Sequence, residues 1–219
     1  MRAIIFGASG GIGGALAAAL ADKGDVIALS RRQNGLDLTD EASIARAVSD
    51  LQGTFDLVIV ATGALVINGQ GPEKSLRALA ADTMAAQLSL NAIGPALVLK
   101  HMVRHLPRDR VSRFAVLSAR VGSIGDNALG GWYSYRAAKA ALNQLIHTAA
   151  IEITRTHPHA IVVALHPGTV ATALTAAHAG GHATVTPAQA ATNLLAVLDR
   201  LTPADTGGFF DWKGDRVPW

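Results

Sequence analysis

Tyr135 and Lys139 stand four residues apart in Tyr135-Arg136-Ala137-Ala138-Lys139, inside an Ala-rich stretch free of Gly and Pro. Four residues make about one helical turn, so the phenol and the ammonium share a face. A free phenol titrates near about 10, too high for acid–base work at neutral pH, and a neighbouring ammonium is expected to favour the phenolate and lower that value. Held beside a carbonyl or a carbinol, the pair could move a proton to or from oxygen.

A second constellation lies at the start of the chain. Gly7-Ala8-Ser9-Gly10-Gly11-Ile12-Gly13 follows a short β-branched run and opens into Gly14-Ala15-Leu16-Ala17. Glycines there let the backbone turn sharply and approach a pyrophosphate, while the helix N-terminus offers free N–H groups and a positive dipole end. This predicts a dinucleotide site built by Gly7, Ser9, Gly10, Gly11, Ile12 and Gly13. An NAD-binding unit of this kind carries an acid about 20 residues on for the ribose 2′-hydroxyl. Here Ser30-Arg31-Arg32 stands instead, and two guanidiniums suit a 2′-phosphate, so the expected cofactor is NADP(H). Asp37 and Leu38 follow in Leu36-Asp37-Leu38-Thr39, with Asp37 read either as an adenine contact or, with Thr39, as the cap of the next helix.

The spacing Gly7-x-x-x-Gly11-x-Gly13 together with Tyr135-x-x-x-Lys139 resembles the short-chain dehydrogenases/reductases, and the resemblance runs the whole chain. Residues 121–127 and 130–136 are similar to the C-factor and sniffer-type carbonyl reductase branch. The resemblance implies hydride transfer between NADP(H) and a small carbonyl or alcohol, with Tyr135 as acid/base, Lys139 also holding the nicotinamide ribose, and Asn91 completing a water-linked proton relay. It also implies cofactor contacts from Pro167, Gly168, Val170 and Thr172 in His166-Pro167-Gly168-Thr169-Val170-Ala171-Thr172. Two departures stand out. Where the family carries Asn-Asn-Ala-Gly, this chain has Val60-Ala61-Thr62-Gly63; Gly63 can still approach the adenine ribose with Ala61 and Thr62, but lost side-chain amides predict weaker bracing. The family's substrate-orienting Ser aligns with Ala119, leaving Ser118 at the strand end or Ser123 in the following loop; Ser118 is preferred, because a break in strand geometry can re-aim a side chain.

The elements that must hold these groups read as parallel βαβ units. Strands are expected at 3–6, 26–29, 57–60, 114–117, 161–165 and 209–210, and helices at 12–22, 41–51, 82–105, 134–156 and 187–201. The predicted class is α/β: one Rossmann-like domain over 1–219, with a doubly wound, mostly parallel sheet flanked by helices and a substrate lid around 172–186. Half of the 219 residues are hydrophobic, which suits one sizeable core. The net charge of +3 is scattered, favouring a small anionic ligand over nucleic acid. No Cys is present, and the eight His show no metal-like spacing with carboxylates; His101 with His105 and His178 with His182 are read as solvated, so no metal is expected. Five Gly interrupt the first apolar stretch, which reads as strand, loop and helix rather than a signal peptide, and no stretch predicts a membrane span. A cytoplasmic homodimer or homotetramer is expected, as the long amphipathic helices resemble those of the family's four-helix interfaces. The alternative to an enzyme is a dinucleotide-binding regulatory or signalling protein with weak or no turnover.

Overall fold

A computed structural model describes residues 1–175 and 183–219. Six strands, β1 (Arg2–Phe6), β2 (Asp25–Leu29), β3 (Leu57–Val60), β4 (Ser112–Leu117), β5 (Ala160–His166) and β6 (Phe209–Asp211), form one sheet in the order β2-β1-β3-β4-β5-β6. All five pairings are parallel. Because crossovers cover both faces of such a sheet, its central strands are apolar throughout: Ala3–Phe6 and Leu57–Val60 are buried residue by residue.

Alternate residues of the strands feed two cores. Ile4, Phe6, Val58, Val60, Phe114 and Val116 pack toward α3 (Glu41–Ser49), α5 (Gly94–Met102) and α6 (Tyr133–Thr154). Ile5, Ile59, Ala115 and Leu117 pack toward α1 (Gly11–Ala21) and α7 (Pro187–Arg200). The chain reverses its winding direction from β1 between β2 and β3, which places a crevice at the carboxyl ends of β1 and β3. No helix among the described residues is long and apolar enough to cross a membrane.

Two local expectations need correction, and one short helix is new. The helix read as 82–105 is α4 (Ala81–Leu88), a π-helical turn at Ser89–Ile93, then α5 and a 3₁₀ turn to His105. Pro95 lacks the N–H that an unbroken α-helix requires, and Gly94 lies so close to Leu38 that a Cβ would stand 2.6 Å from its carbonyl oxygen. Arg31 and Arg32 open a short helix that was not anticipated, α2 (Arg31–Asn34), whose first turn is capped by the Ser30 hydroxyl accepting from Gln33 N–H. The cap of α3 is Asp40, not Asp37 with Thr39; the Asp37 carboxylate instead accepts from the Thr39 backbone at 2.8 Å and hydroxyl at 2.7 Å. These bonds hold the Asp37 carboxyl below its ordinary range, with Arg31 adding a smaller pull.

Candidate active site

The glycine loop is shaped by contact as well as by turning. Gly7 sits at φ +93° and, with Ala8, donates its N–H to the carbonyl of Leu29. A Cβ on Gly13 would stand 2.2 Å from the Gly7 carbonyl oxygen, and one on Gly11 would stand 2.8 Å from Thr172 Cγ2. Only glycine lets α1 begin this close to β1. Gly10 caps α1 without a side chain, so the first N–H groups of the helix point outward beside the exposed Ser9. Arg31 and Arg32, beyond β2, are exposed and have no salt-bridge partner among the described residues. Leu38 is buried with its carbonyl against Gly94, so its side chain is not presented to a cofactor.

A cavity of about 620 Å³ opens beyond the strand ends. Ile12, Ala61, Thr62, Gly63, Ser118, Tyr135, Lys139, Pro167, Gly168, Val170 and Thr172 all line it, so residues scattered over the sequence converge on one space. Tyr135 is 8 % exposed, and its hydroxyl has no hydrogen bond to a described residue. Trp132 packs edge-on against its ring, with centroids 6.2 Å apart. Lys139 Nζ donates to the Leu117 carbonyl at 2.9 Å and lies 5.8 Å from the Tyr135 ring centre. Gly122 lets the turn after β4 touch α6 at this point, because a Cβ there would stand 2.7 Å from Lys139 Cβ.

The electrostatics of the pair reverse the expectation from sequence. Burial pushes the Tyr135 phenol up to about 12 and brings the Lys139 ammonium down to about 8. Each group loses water on entering the protein, which penalises its charged form, and that burial sets both directions. Tyr135 is therefore a protonated phenol at neutral pH, suited to giving a proton.

Asn91 lies in the π-helical turn, fully buried. Its Oδ1 accepts from Ala64 N–H at 3.1 Å, and its Nδ2 donates to the Ala64 carbonyl at 2.9 Å and to Gln87 Oε1 at 2.6 Å. Gln87 in turn donates to the Leu65 carbonyl. This pair supplies bracing that the missing amides at Val60 and Ala61 were expected to cost. A Cβ on Gly63 would stand 3.0 Å from Asn91 Oδ1 and 3.6 Å from Lys139 Nζ, so asparagine and lysine meet at this glycine.

Ser118 and Ser123 are now distinguishable. Ser118 lines the cavity and donates its hydroxyl to Asn143 Oδ1 at 2.7 Å; Ser123 is buried and accepts from the Asp126 N–H at 3.1 Å. The lid expected at 172–186 is pinned at its base, where Val170 and Val185 form a bridge and Ala171 N–H donates to the Val185 carbonyl. Its residues 176–182, with His178 and His182, lie outside the described residues. His105 is not solvated but buried between Gly53 and Arg104, whereas His101 keeps partial exposure and pairs with Glu41 at 3.1 Å. Among the described residues no cluster could hold a metal ion.

A family model described as short chain dehydrogenase matches residues 1–181. The chain belongs to the short-chain dehydrogenase family. It is 33% identical over 208 residues to the 1-hydroxy-2-glutathionyl-2-methyl-3-butene dehydrogenase of Rhodococcus sp. strain AD45, covering 93% of this chain and 88% of the relative. It is 36% identical over 137 residues to the C-signal of Myxococcus xanthus, covering 62% and 78%. The carbonyl reductase Sniffer of D. melanogaster shares the fold, with a TM-score of 0.83 at 19% identity over 100% of this chain and 99% of that one. A short-chain dehydrogenase/reductase of Burkholderia multivorans with bound NADP gives a TM-score of 0.80 at 25% identity, covering 100% and 99%.

Two residues of this family member's site carry no sequence signal that points to them as directly as the Tyr–Lys spacing. Asn143 follows Lys139 by one more turn of α6 and could have been reached by extending that face. Glu73 could not, because it acts across 61 residues: its carboxylate accepts from the Ser134 N–H at 3.1 Å and from the Ser134 hydroxyl. Its carbonyl also accepts from Trp132 N–H. The start of α6 follows Gly130, Gly131 and Trp132, all at positive φ, and Trp132 provides no side-chain cap. Glu73 thus caps α6 at Ser134, the residue before Tyr135. Burial works to raise its carboxyl, but the Ser134 bonds outweigh that and hold it below the ordinary range, so the clamp persists at neutral pH and weakens as acid protonates it. Replacing Glu73 with Ala is expected to lower the unfolding free energy by about 1.5–3 kcal/mol, the range for hydrogen bonds to a charged group. The check is the urea midpoint at unchanged m; an unmoved midpoint would remove the clamp from the account.

Proposed function

We propose that the protein is an NADP(H)-dependent carbonyl reductase in which Tyr135 gives a proton to the carbonyl oxygen. The observation that carries this reading is a buried Tyr135 whose hydroxyl bonds to no described residue, lining the same cavity as Gly63 and Lys139. The glycine cradle fits a pyrophosphate, and Arg31 and Arg32 fit a 2′-phosphate. When bound, the nicotinamide supplies the hydride in reduction or takes it in oxidation. Lys139 keeps a positive charge beside Tyr135 below about pH 8, favouring negative charge that develops as the proton leaves. Asn91 fixes the Gly63 loop against Lys139; both N–H groups of its side-chain amide are already donated, to Ala64 and Gln87, so any part in a water-linked relay would fall to its backbone carbonyl. The relative named for dehydrogenation of a glutathionyl alcohol and the NADP-bound neighbour support the same reading.

Ser118 is the hydroxyl assigned to orient the carbonyl, since it lines the cavity and Ser123 does not. To do so it turns from Asn143 toward the substrate. The test is NADPH consumption against a panel of aldehydes, ketones and quinones, followed by kinetics on one working substrate. Ser118→Ala is expected to lose on the order of 10²-fold in turnover, by analogy with one oxyanion donor, and Ser123→Ala little. The reverse ranking would transfer the role to Ser123, and no consumption across the panel would count against the reductase.

A further inference from the structure

The end of β4 is bound to α6 at two consecutive residues. Lys139 Nζ donates to the Leu117 carbonyl at 2.9 Å, and one turn further along the helix Asn143 Oδ1 accepts the Ser118 hydroxyl at 2.7 Å. The Ser118 backbone is fixed separately, its N–H donating to the Leu165 carbonyl at 2.8 Å. Ser118 and Lys139 line the cavity, whereas Asn143 lies behind them, 2 % exposed and outside the lining. Asn143 therefore meets no ligand, and any effect it has on the reaction passes through Ser118.

The polarity of this contact conflicts with the task of Ser118. While the hydroxyl donates to Asn143 Oδ1 it can offer the cavity only lone pairs, and a substrate carbonyl needs a donor. Swinging the hydroxyl to the carbonyl with Asn143 held still would leave Oδ1 unpaired on an amide whose Nδ2 is already buried without a hydrogen-bond partner. Two unmet ends on one buried amide make a costly state. Half a turn about χ2 avoids it. That torsion is roughly two-fold and the amide keeps nearly the same outline, so Nδ2 comes to donate to Ser118 Oγ while the serine O–H is released. One end of the amide is unmet before and after the turn, and both ends at neither point.

We propose that Asn143 is a positioning residue for carbonyl reduction, whose amide holds Ser118 Oγ at the cavity wall in both senses. It accepts a hydrogen bond from the hydroxyl in the free enzyme, and it donates one to the same oxygen when the hydroxyl turns to the substrate carbonyl. This role rests on the reading of Ser118 as the orienting hydroxyl.

The test is a double-mutant cycle on kcat, with a ketone that the wild type reduces, in the Ser118 and Ser118→Ala backgrounds. Asn143→Leu keeps the branched outline of Asn and removes both polar ends. It is expected to lower kcat about fivefold while Ser118 is present, the scale of one neutral hydrogen bond, and by less than about twofold in Ser118→Ala, with NADPH affinity unchanged in both. Asn143→Ala, which asks for no space, repeats the measurement without overpacking. Asn143→Asp separates holding from turning. At about pH 9 its carboxylate accepts and cannot donate, so it keeps the Ser118 hydroxyl to itself and should bring kcat within about threefold of Ser118→Ala, again with little further loss in the Ser118→Ala background. Equal losses in the two backgrounds would overturn the proposal, because a residue that only supports packing does not depend on the Ser118 oxygen. So would a kcat untouched by Asn143→Leu, a loss of NADPH affinity in place of kcat, or Asn143→Asp no slower than Asn143→Leu. The two levels fail differently. Ser118→Ala at wild-type turnover, or no turnover of any ketone by the wild type, removes the orienting hydroxyl and Asn143 with it; a Ser118→Ala loss beside a silent Asn143 removes Asn143 alone.

Discussion

Tyr135→Phe is expected to lower turnover by about 10²–10⁴-fold, the usual contribution of a positioned proton donor, while leaving cofactor binding unchanged. The substitution removes one oxygen from a ring that is already buried and packed against Trp132, so the cavity wall keeps its shape. That hydroxyl bonds to no described residue, so its loss leaves no orphaned protein group and the fold should keep its stability. The phenol titrates at about 12, so the wild type holds the proton throughout the neutral range. The comparison to make is kcat with a working ketone beside NADPH affinity from fluorescence titration. A loss of only a few fold in kcat would take Tyr135 out of the proton-transfer step.

The second large effect concerns the cofactor. Arg31→Ala combined with Arg32→Ala is expected to weaken NADPH about ten- to hundredfold and to leave NADH nearly unchanged, because a charge-assisted phosphate contact is lost only where the phosphate exists. Both side chains are exposed, and neither is within salt-bridge distance of a described acid, so the free protein does not compete for them. Ser30 and Gly35 should hold α2 in place without the guanidiniums, through the cap on Gln33 and the left-handed turn at φ +66°. Screening sets a second expectation: the NADPH preference should shrink as salt is raised. Wild-type NADH binding as tight as NADPH, or an NADPH affinity untouched by the double change, would contradict the assignment.

The strands were legible because each is a short apolar run between Gly-rich or polar turns, and parallel strands buried on both faces read that way. The Tyr135–Lys139 pair and the glycine loop were legible because their chemistry depends on spacing within one element. What escaped depended on contacts between elements. The break at Ser89–Ile93 follows from Pro95 and from the crossing at Leu38, and apolar period runs through both without interruption. Helix α2 spans 4 residues, too few for periodicity to register. Glu73 caps α6 from another loop, and the bracing of Ala64 by Asn91 replaces amides that a linear comparison could only report as missing. The direction of the Tyr135 shift also escaped, because a list of neighbours reports attraction but not the water each group gives up.

The most direct test of the reductase is transfer of the hydride itself. The enzyme is given NADPH carrying deuterium at the transferable position of the nicotinamide, together with a ketone that it consumes, and the alcohol is analysed by mass spectrometry. The account predicts one deuterium on the carbinol carbon for each NADPH oxidised, and none above background with Tyr135→Phe over the same interval. Tight NADPH binding without labelled alcohol from any carbonyl offered would contradict it, and would make the protein a dinucleotide-binding regulator instead.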